Sequence, residues 1–254
     1  MTKTIVVTGG SRGIGLGLVR CLAARGHRVV LCGSRAGTVR EAAAGLDVLA
    51  MVADVTDRAR LQALWDAAVE RHGRVDIWIN NAGVSHARTP LWRIPEEEAR
   101  AVVEVNLLGA LNGSAVAVAG MAAQGGGHVW NMEGLGGDGR TVPGLGVYGA
   151  TKSALAYLTR ALAEEVPPGV SAGLLSPGMV VTDLLTCGYG PEELERAKKI
   201  FSILADPVDV VAPWLAERVV TRARNGAHVR RLTPAKAAAR FALAPFRRRD
   251  PFAG

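Results

Sequence analysis

Thr4-Ile5-Val6-Val7-Thr8-Gly9-Gly10-Ser11-Arg12-Gly13-Ile14-Gly15-Leu16-Gly17-Leu18-Val19 is the stretch on which the fold turns. Its first residues are a β-branched run, which reads as a short buried strand. A glycine turn follows, and then a helical apolar period from Ile14 to Arg25. Strand, glycine turn and helix together are the setting of a phosphate-binding loop. Glycines let the backbone approach a pyrophosphate, and a helix N-terminus offers unpaired N–H groups and a partial positive charge. Gly9, Gly13 and Gly15 space as Gly-x-x-x-Gly-x-Gly, unlike the commoner Gly-x-Gly-x-x-Gly. A plain glycine turn is the alternative, but strand before and helix after favour a cofactor loop formed by Gly9, Ser11, Arg12, Gly13, Ile14 and Gly15.

The same alternation runs on along the chain. Arg28 to Cys32, Val48 to Val52, Val75 to Ile79, His128 to Met132 and Val170 to Leu175 read as strands, with a last short one at His228 to Leu232. Between them lie a helix capped by Asp57 and reaching about Arg71, one opened by Pro95-Glu96-Glu97-Glu98 and continuing through Leu108, and one from Tyr148 to Glu165. Pro191 to Leu204 and Pro207 to Arg224 are also helical. Strands alternating with helices mean an α/β fold with a parallel, doubly wound sheet.

The 254 residues carry a net charge of +7, moderate charge overall and few aromatics, as suits a buried α/β core. A basic balance fits nucleic acid, an anionic membrane surface, bound phosphates or simply a solvated surface. The cations are dispersed without a readout motif, which speaks against nucleic acid. Cys21, Cys32 and Cys187 are odd in number and match no zinc or redox spacing, so we expect a reduced cytoplasmic protein without a bound metal. No basic leader precedes the first strand. Val105 to Val129 is free of charge but broken by Asn106, Asn112, Ser114 and Gln124, so part of it reads as a buried or interface helix and not a membrane span.

Polar residues at strand ends mark the site, because ligands of open α/β sheets lie outside the carboxyl ends of the strands. From Val29 to Arg40 there is no acid to bond a ribose 2′-hydroxyl. Ser34 and Arg35 follow the second strand, and Arg12 sits in the loop. Two cations and no anion favour NADPH, unless both arginines merely face solvent. Asp54 after the third strand caps a helix or holds an adenine amine. Asn80-Asn81-Ala82-Gly83 ends the fourth strand, either as an Asx turn or as a ligand contact. Asn106 is polar within an apolar helical stripe, so it is either a structural plug or a site residue. After the fifth strand a glycine-rich run from Gly134 leads to Tyr148, with Lys152 one helical turn on. A phenol with a reference pKa of about 10 is a proton donor at neutral pH. A neighbouring ammonium lowers that value, so the pair can exchange a proton with a carbonyl oxygen. On spacing alone, Tyr-x-x-x-Lys is more often a surface pair.

Taken together, Thr8-Gly9 to Gly15, Asn80-Asn81-Ala82-Gly83, Asn106, Tyr148-x-x-x-Lys152 and Pro177-Gly178 resemble the short-chain dehydrogenase/reductase family in order and spacing, over residues 4 to 185. The resemblance implies a single Rossmann domain with a sheet of about seven strands and hydride transfer between a nicotinamide and a carbonyl or alcohol. It implies Tyr148 as proton donor, Lys152 as ribose ligand and modulator of Tyr148, and Asn106 as holder of a relay water. Thr182 would bond the nicotinamide amide, Asp54, Val55 and Asn81 would line the adenosine side, and Ala82, Gly83, Pro177 and Gly178 would also bind the cofactor. Helices at 96–123 and 148–165 would pair in a homodimer or homotetramer.

One motif departs. The family usually has Asn-x-Ser-Ser after the fifth strand, and its Ser orients the substrate oxygen. Here the text is Asn131-Met132-Glu133-Gly134. Losing such a donor costs about 2.7–4 kcal/mol of transition-state stabilisation. The enzyme is dead, or another group such as a protonated Glu133 or a loop amide substitutes near Gly134, or the substrate supplies what it needs. The same departure, with Tyr148-Gly149-Ala150-Thr151-Lys152 and Ser176-Pro177-Gly178-Met179-Val180-Val181-Thr182, is similar to the chlorophyll(ide) b reductase subgroup. That similarity implies NADPH-dependent reduction of a 7-formyl group on a large hydrophobic pigment. Other carbonyl substrates, or a catalytically impaired NADP-binding protein, are the alternatives.

We divide the chain into residues 1–234, the Rossmann and catalytic part, and 235–254, a basic amphipathic tail. In the tail Phe241, Leu243, Phe246 and Phe252 alternate with Lys236, Arg240, Arg247, Arg248 and Arg249. Such a segment can lie on an anionic membrane, shield a hydrophobic pocket, dock on a partner or pack on the core as an ordinary helix.

Overall fold

The computed structural model describes residues 1–246 and 249–252. Arg247 and Arg248 of the basic tail lie outside the described residues. β1 (Thr4–Val7) leads to α1 (Gly13–Ala24), β2 (Arg28–Gly33) to α2 (Ala36–Ala43), and β3 (Val48–Val52) to α3 (Arg58–His72). β4 (Ile77–Asn80) leads through a 3-10 turn at Leu91–Arg93 to α4 (Glu96–Val103), a π-helical turn at Glu104–Leu108 and α5 (Gly109–Ala123). β5 (Gly127–Met132), α6 (Gly146–Glu165) and β6 (Val170–Ser176) follow. After them come α7 (Asp183–Thr186), α8 (Pro191–Leu204), α9 (Val208–Thr221), β7 (Ala227–Arg230) and α10 (Pro234–Leu243).

The strands form one seven-stranded parallel sheet in the order β3-β2-β1-β4-β5-β6-β7. This is the doubly wound sheet that the alternating pattern predicts. Its order reverses between β1 and β4, where a crevice opens for ligands. Both faces are covered, which is why β1 is an unbroken apolar run. Ile5 and Val7 pack with Leu18, Leu22, Leu215 and Val219 on the α1/α9 side. Val6 packs with Leu61, Leu64, Trp65 and Trp78 on the other. There α5 crosses α3 so closely that a Cβ on Gly120 would stand 2.1 Å from the Trp65 ring, so only glycine fits. Among the described residues, Glu96–Ala123 is the one helical stretch long and apolar enough to cross a membrane. Half of its apolar window (50%) is buried inside the fold.

Several boundaries differ from the sequence reading. Asp57 caps α3 as expected, accepting from Ala59 N at 2.9 Å and Arg60 N at 3.2 Å. The fourth strand starts at Ile77 and not Val75, because Val75 spends its backbone on Gln124, bonding Oε1 at 3.2 Å and Nε2 at 2.6 Å. The last strand stops at Arg230, and the Arg231 side chain is drawn to Asp206 at 3.1 Å. The residues between β2 and β3 hold a helix where none was expected. The helix from Glu96 is not continuous α-helix, since its register widens by a π-turn around Asn106.

Candidate active site

The crevice at the strand-order reversal is a cavity of about 370 Å³ lined by Gly9, Ser11, Arg12, Gly13, Ile14, Gly15, Ser34, Asp54, Val55, Asn81, Ala82, Gly83 and Thr182. These are most of the residues that the sequence assigns to the cofactor. The glycine loop needs its glycines. A Cβ on Gly15 would meet Gly9 O at 2.2 Å, and Gly13 has φ +52°. Arg12 is the N-cap of α1 and offers no side-chain cap, so the first-turn N–H groups stay available. Asn81 fixes the loop by donating from Nδ2 to Thr8 O at 2.9 Å and Gly9 O at 3.1 Å. Thr8 Oγ1 in turn accepts from Asn81 N at 3.0 Å and Ala82 N at 3.2 Å. A bare backbone cradle at a helix N-terminus, with no acid in the first turn, fits the pyrophosphate of a nicotinamide dinucleotide.

Ser34 and Arg35 follow β2, exposed at the start of α2. Ser34 reaches the cavity lining, whereas Arg35 stands outside it as the N-cap of α2. Among the described residues, neither Arg12 nor Arg35 has an ion-pair partner. Asp54, in the cavity lining, accepts at Oδ1 from Thr56 N at 2.9 Å and Thr56 Oγ1 at 2.8 Å. Pro177 and Gly178 are not in the lining. Gly178, with φ +78°, turns the chain so that Thr182 Cγ2 comes within 3.4 Å of the Cβ position of Gly13. Gly33, Ala53, Val84, Ser85, Val105, Asp183, Leu184 and Cys187 complete the wall.

Behind Gly83 stand Asn106, Tyr148 and Lys152, all buried. Gly83's Cβ position is 3.4 Å from Asn106 Oδ1 and 3.7 Å from Lys152 Nζ, and Gly134's is 2.4 Å from Tyr148 Oη and 3.4 Å from Lys152 Cε. The structure therefore brings together the residues named for chemistry, with Gly134 under the phenol. The π-turn aims Asn106 inward. Its amide pairs with the Val84 backbone, accepting from N at 2.8 Å and donating to O at 2.9 Å. It also donates to Thr151 Oγ1 at 3.3 Å, and Thr151 donates to Tyr148 O at 2.7 Å. Asn80 is a plug instead. Its amide links Trp78, Ser114 and Asn131 inside the sheet-helix interface.

Burial sets the protonation of the pair. Lys152 Nζ lies 5.8 Å from the Tyr148 ring centroid and donates to Met132 O at 3.1 Å. The sequence reading has the ammonium lowering the phenol. In the structure burial wins, and Tyr148 is pushed up to about 12. Lys152 is pushed down to about 8 by burial, against the opposing charge of Glu133. The phenol is thus a proton donor throughout the neutral range.

Glu133 turns away from the cavity, and its Oε2 lies 3.0 Å from His228 Nε2. Arg230 Nε stands 3.0 Å from that same nitrogen. Burial drives the Glu133 carboxyl up, but the neighbouring His228 and Ser176 side chains and the charge of Arg230 outweigh it and hold it below the usual range. One residue escaped the sequence reading. His86 is fully buried, and its Nε2 accepts the Tyr148 backbone N–H at 3.3 Å at the start of α6. It sits in a loop with no periodicity, 62 positions from its partner, so no sequence signal marks it.

A doubly wound sheet with a glycine cradle at the switch point, and a buried Tyr-Lys-Asn cluster beside it, defines a nicotinamide-dependent oxidoreductase. The family described as short chain dehydrogenase matches residues 3–187, and the chain belongs to that family. It is 34% identical to "Chlorophyll(ide) b reductase NOL, chloroplastic" of Oryza sativa subsp. japonica, over 93% of this chain and 73% of that protein. The namesake of Arabidopsis thaliana is also 34% identical, over 92% of this chain and 71% of that protein. Among solved structures, the 3-ketoacyl-(acyl-carrier-protein) reductase from Brucella melitensis complexed with NADH superposes with a TM-score of 0.80. Its identity is 26%, covering 90% of this chain and 96% of that one.

Proposed function

We propose that this protein is an NADPH-dependent carbonyl reductase whose substrate is the formyl group of a chlorophyll b-type pigment. The observation that carries the reading is the buried, protonated Tyr148 hydroxyl packed on Gly134, with Lys152 and Asn106 beside it. A reduced nicotinamide dinucleotide held by the Gly9–Gly15 cradle would supply the hydride. Tyr148 protonates the nascent alkoxide, and Lys152 holds positive charge beside the phenolate that remains. Asn106 and His86 act by position, fixing the Val84 loop and the first turn of α6. Gly134 leaves no side chain where the family's Ser stands, so the substrate oxygen meets the phenol without that donor. The unpaired Arg12 and Arg35, and the absence of an acid after β2, support NADPH over NADH.

The similarity to chlorophyll(ide) b reductases supports the formyl pigment, and the apolar lip of Val84, Val105 and Leu184 suits a hydrophobic substrate. The Brucella neighbour favours a second reading, reduction of a 3-ketoacyl group. Incubation with chlorophyllide b and NADPH separates the two. Conversion of the formyl to a hydroxymethyl group, read by absorption and mass, supports the first. Turnover of ketoacyl thioesters alone supports the second. We further propose a homodimer or homotetramer through α4–α5 and α6, where Leu108, Leu111 and Tyr157 are exposed. A monomer by light scattering would refute it.

A further inference from the structure

The C-terminal helix is built inside out. From Pro234 to Phe246 every exposed residue is apolar, while Lys236 and Arg240 turn toward the body. A helix facing water should show the opposite arrangement. Phe241 is 45% exposed, Leu243 53% and Phe246 87%. The segment is nonetheless firmly held. Arg240 Nη2 donates to Asp206 at 2.8 and 3.0 Å, and its Nη1 donates to Leu204 O at 2.7 Å. Arg249 Nη2 reaches the same carboxylate at 2.5 Å, and its Nη1 donates to Ile203 O at 2.7 Å. With Arg231 at 3.1 Å, three guanidinium groups surround one buried Asp206.

Alongside runs an open groove between α8 and α10. Its lining holds six cations, Lys198, Lys199, Arg231, Lys236, Arg240 and Arg249, against the three carboxylates of Glu195, Asp206 and Asp250. Lys198 is neutralised by Glu195 at 2.6 Å. The arginine cluster exceeds its single acid, and Lys199 and Lys236 have no ion-pair partner among the described residues. The crowding is felt at Lys236, which burial and then Arg231 and Arg240 hold below the usual lysine range. A face that joins bare apolar side chains to uncompensated positive charge has a specific complement, an anionic lipid surface. A second copy of the chain would complement the apolar half but bring like charges together.

We propose that α10 and the α8/α10 groove form a docking face for anionic phospholipid. Phe241, Leu243 and Phe246 enter the acyl boundary, and the groove takes the phosphate headgroups. The face borders α8, which follows directly on the Thr182–Cys187 segment at the cavity, so docking sets the cavity mouth near the lipid.

Sedimentation of the full chain with phosphatidylglycerol/phosphatidylcholine vesicles, against pure phosphatidylcholine, tests this. We expect binding to the anionic vesicles that weakens with salt and is weak or absent on the neutral ones. Lys199→Gln with Lys236→Gln should reduce partitioning roughly 25-fold, since each cation near the surface is worth about 1 kcal/mol, or about fivefold. Phe241→Ser with Phe246→Ser, both at exposed positions, should reduce it tenfold or more. Equal partitioning on neutral vesicles, no partitioning at all, or variants that bind like the wild type would overturn the proposal. So would phenylalanine variants that abolish a self-association seen by light scattering while vesicle binding persists. None of these readouts depends on the substrate or on turnover.

Discussion

Gly134→Ala is the substitution that interrogates the site most sharply. A Cβ added there would stand 2.4 Å from Tyr148 Oη, whereas ordinary contact begins at 3.4 Å. The phenol must therefore retreat by about 1 Å. Gly134 is not among the glycines with positive φ, so the backbone accepts alanine without strain. A displacement of that size costs about 100-fold in the chemical step, or about 2.7 kcal/mol. The fold should be disturbed less, by about 1 kcal/mol, because the atom displaced is the tip of a side chain. The assay is single-turnover NADPH oxidation with a saturating aldehyde, alongside NADPH affinity by fluorescence. We expect kcat to fall about 100-fold with unchanged NADPH affinity. Gly134→Ser carries the same Cβ and should fall likewise, its new hydroxyl notwithstanding. An alanine variant within threefold of the wild type would refute the reasoning, since the phenol would not need its place.

Three further outcomes follow from the same geometry. Glu133→Gln removes the charge that keeps Lys152 protonated against burial, so Lys152 should titrate below about 8. The alkaline limb of kcat/KM should move to lower pH, and an unmoved limb would disprove the coupling. His128 is buried and pushed down to about 3, against 6.5 in the unfolded chain. Its unfolded form therefore takes up the proton first, and stability should drop by about 1.4 kcal/mol per pH unit as pH falls from 6.5 toward 3. Chemical denaturation of His128→Gln should show a flatter acid limb. Arg35→Asp should lower the preference for NADPH over NADH by ten- to a hundredfold if that guanidinium holds the 2′-phosphate. An unchanged ratio of dissociation constants would remove Arg35 from the site.

The sheet was legible because its strands are buried on both faces. Ile5, Val6 and Val7 leave no ambiguity of period, and the glycines that follow mark the loop by their chemistry. Site positions at strand ends were legible for the same reason. Asn106 stood out as a polar residue in an apolar stripe. Its π-turn did not, because one added residue per turn leaves no mark in composition. Val75 has the composition of a strand residue, but its backbone is taken by Gln124, a partner 49 positions away. The tail's orientation was not legible. Cations and aromatics alternate there, and Asp206 draws Arg240 and Arg249 inward while Phe241 and Phe246 stay outside. Which side a charge faces depends on a buried acid that sequence spacing cannot locate.

The most direct test of Tyr148 as the acid of a formyl-pigment reductase is NADPH oxidation by the purified protein across a carbonyl panel that includes chlorophyll b and chlorophyllide b. Tyr148→Phe serves as the control. We expect turnover of the formyl pigments by the wild type and its loss in Tyr148→Phe, with NADPH affinity retained. Turnover that survives in Tyr148→Phe, or NADPH binding without turnover of any carbonyl by the wild type, would contradict it.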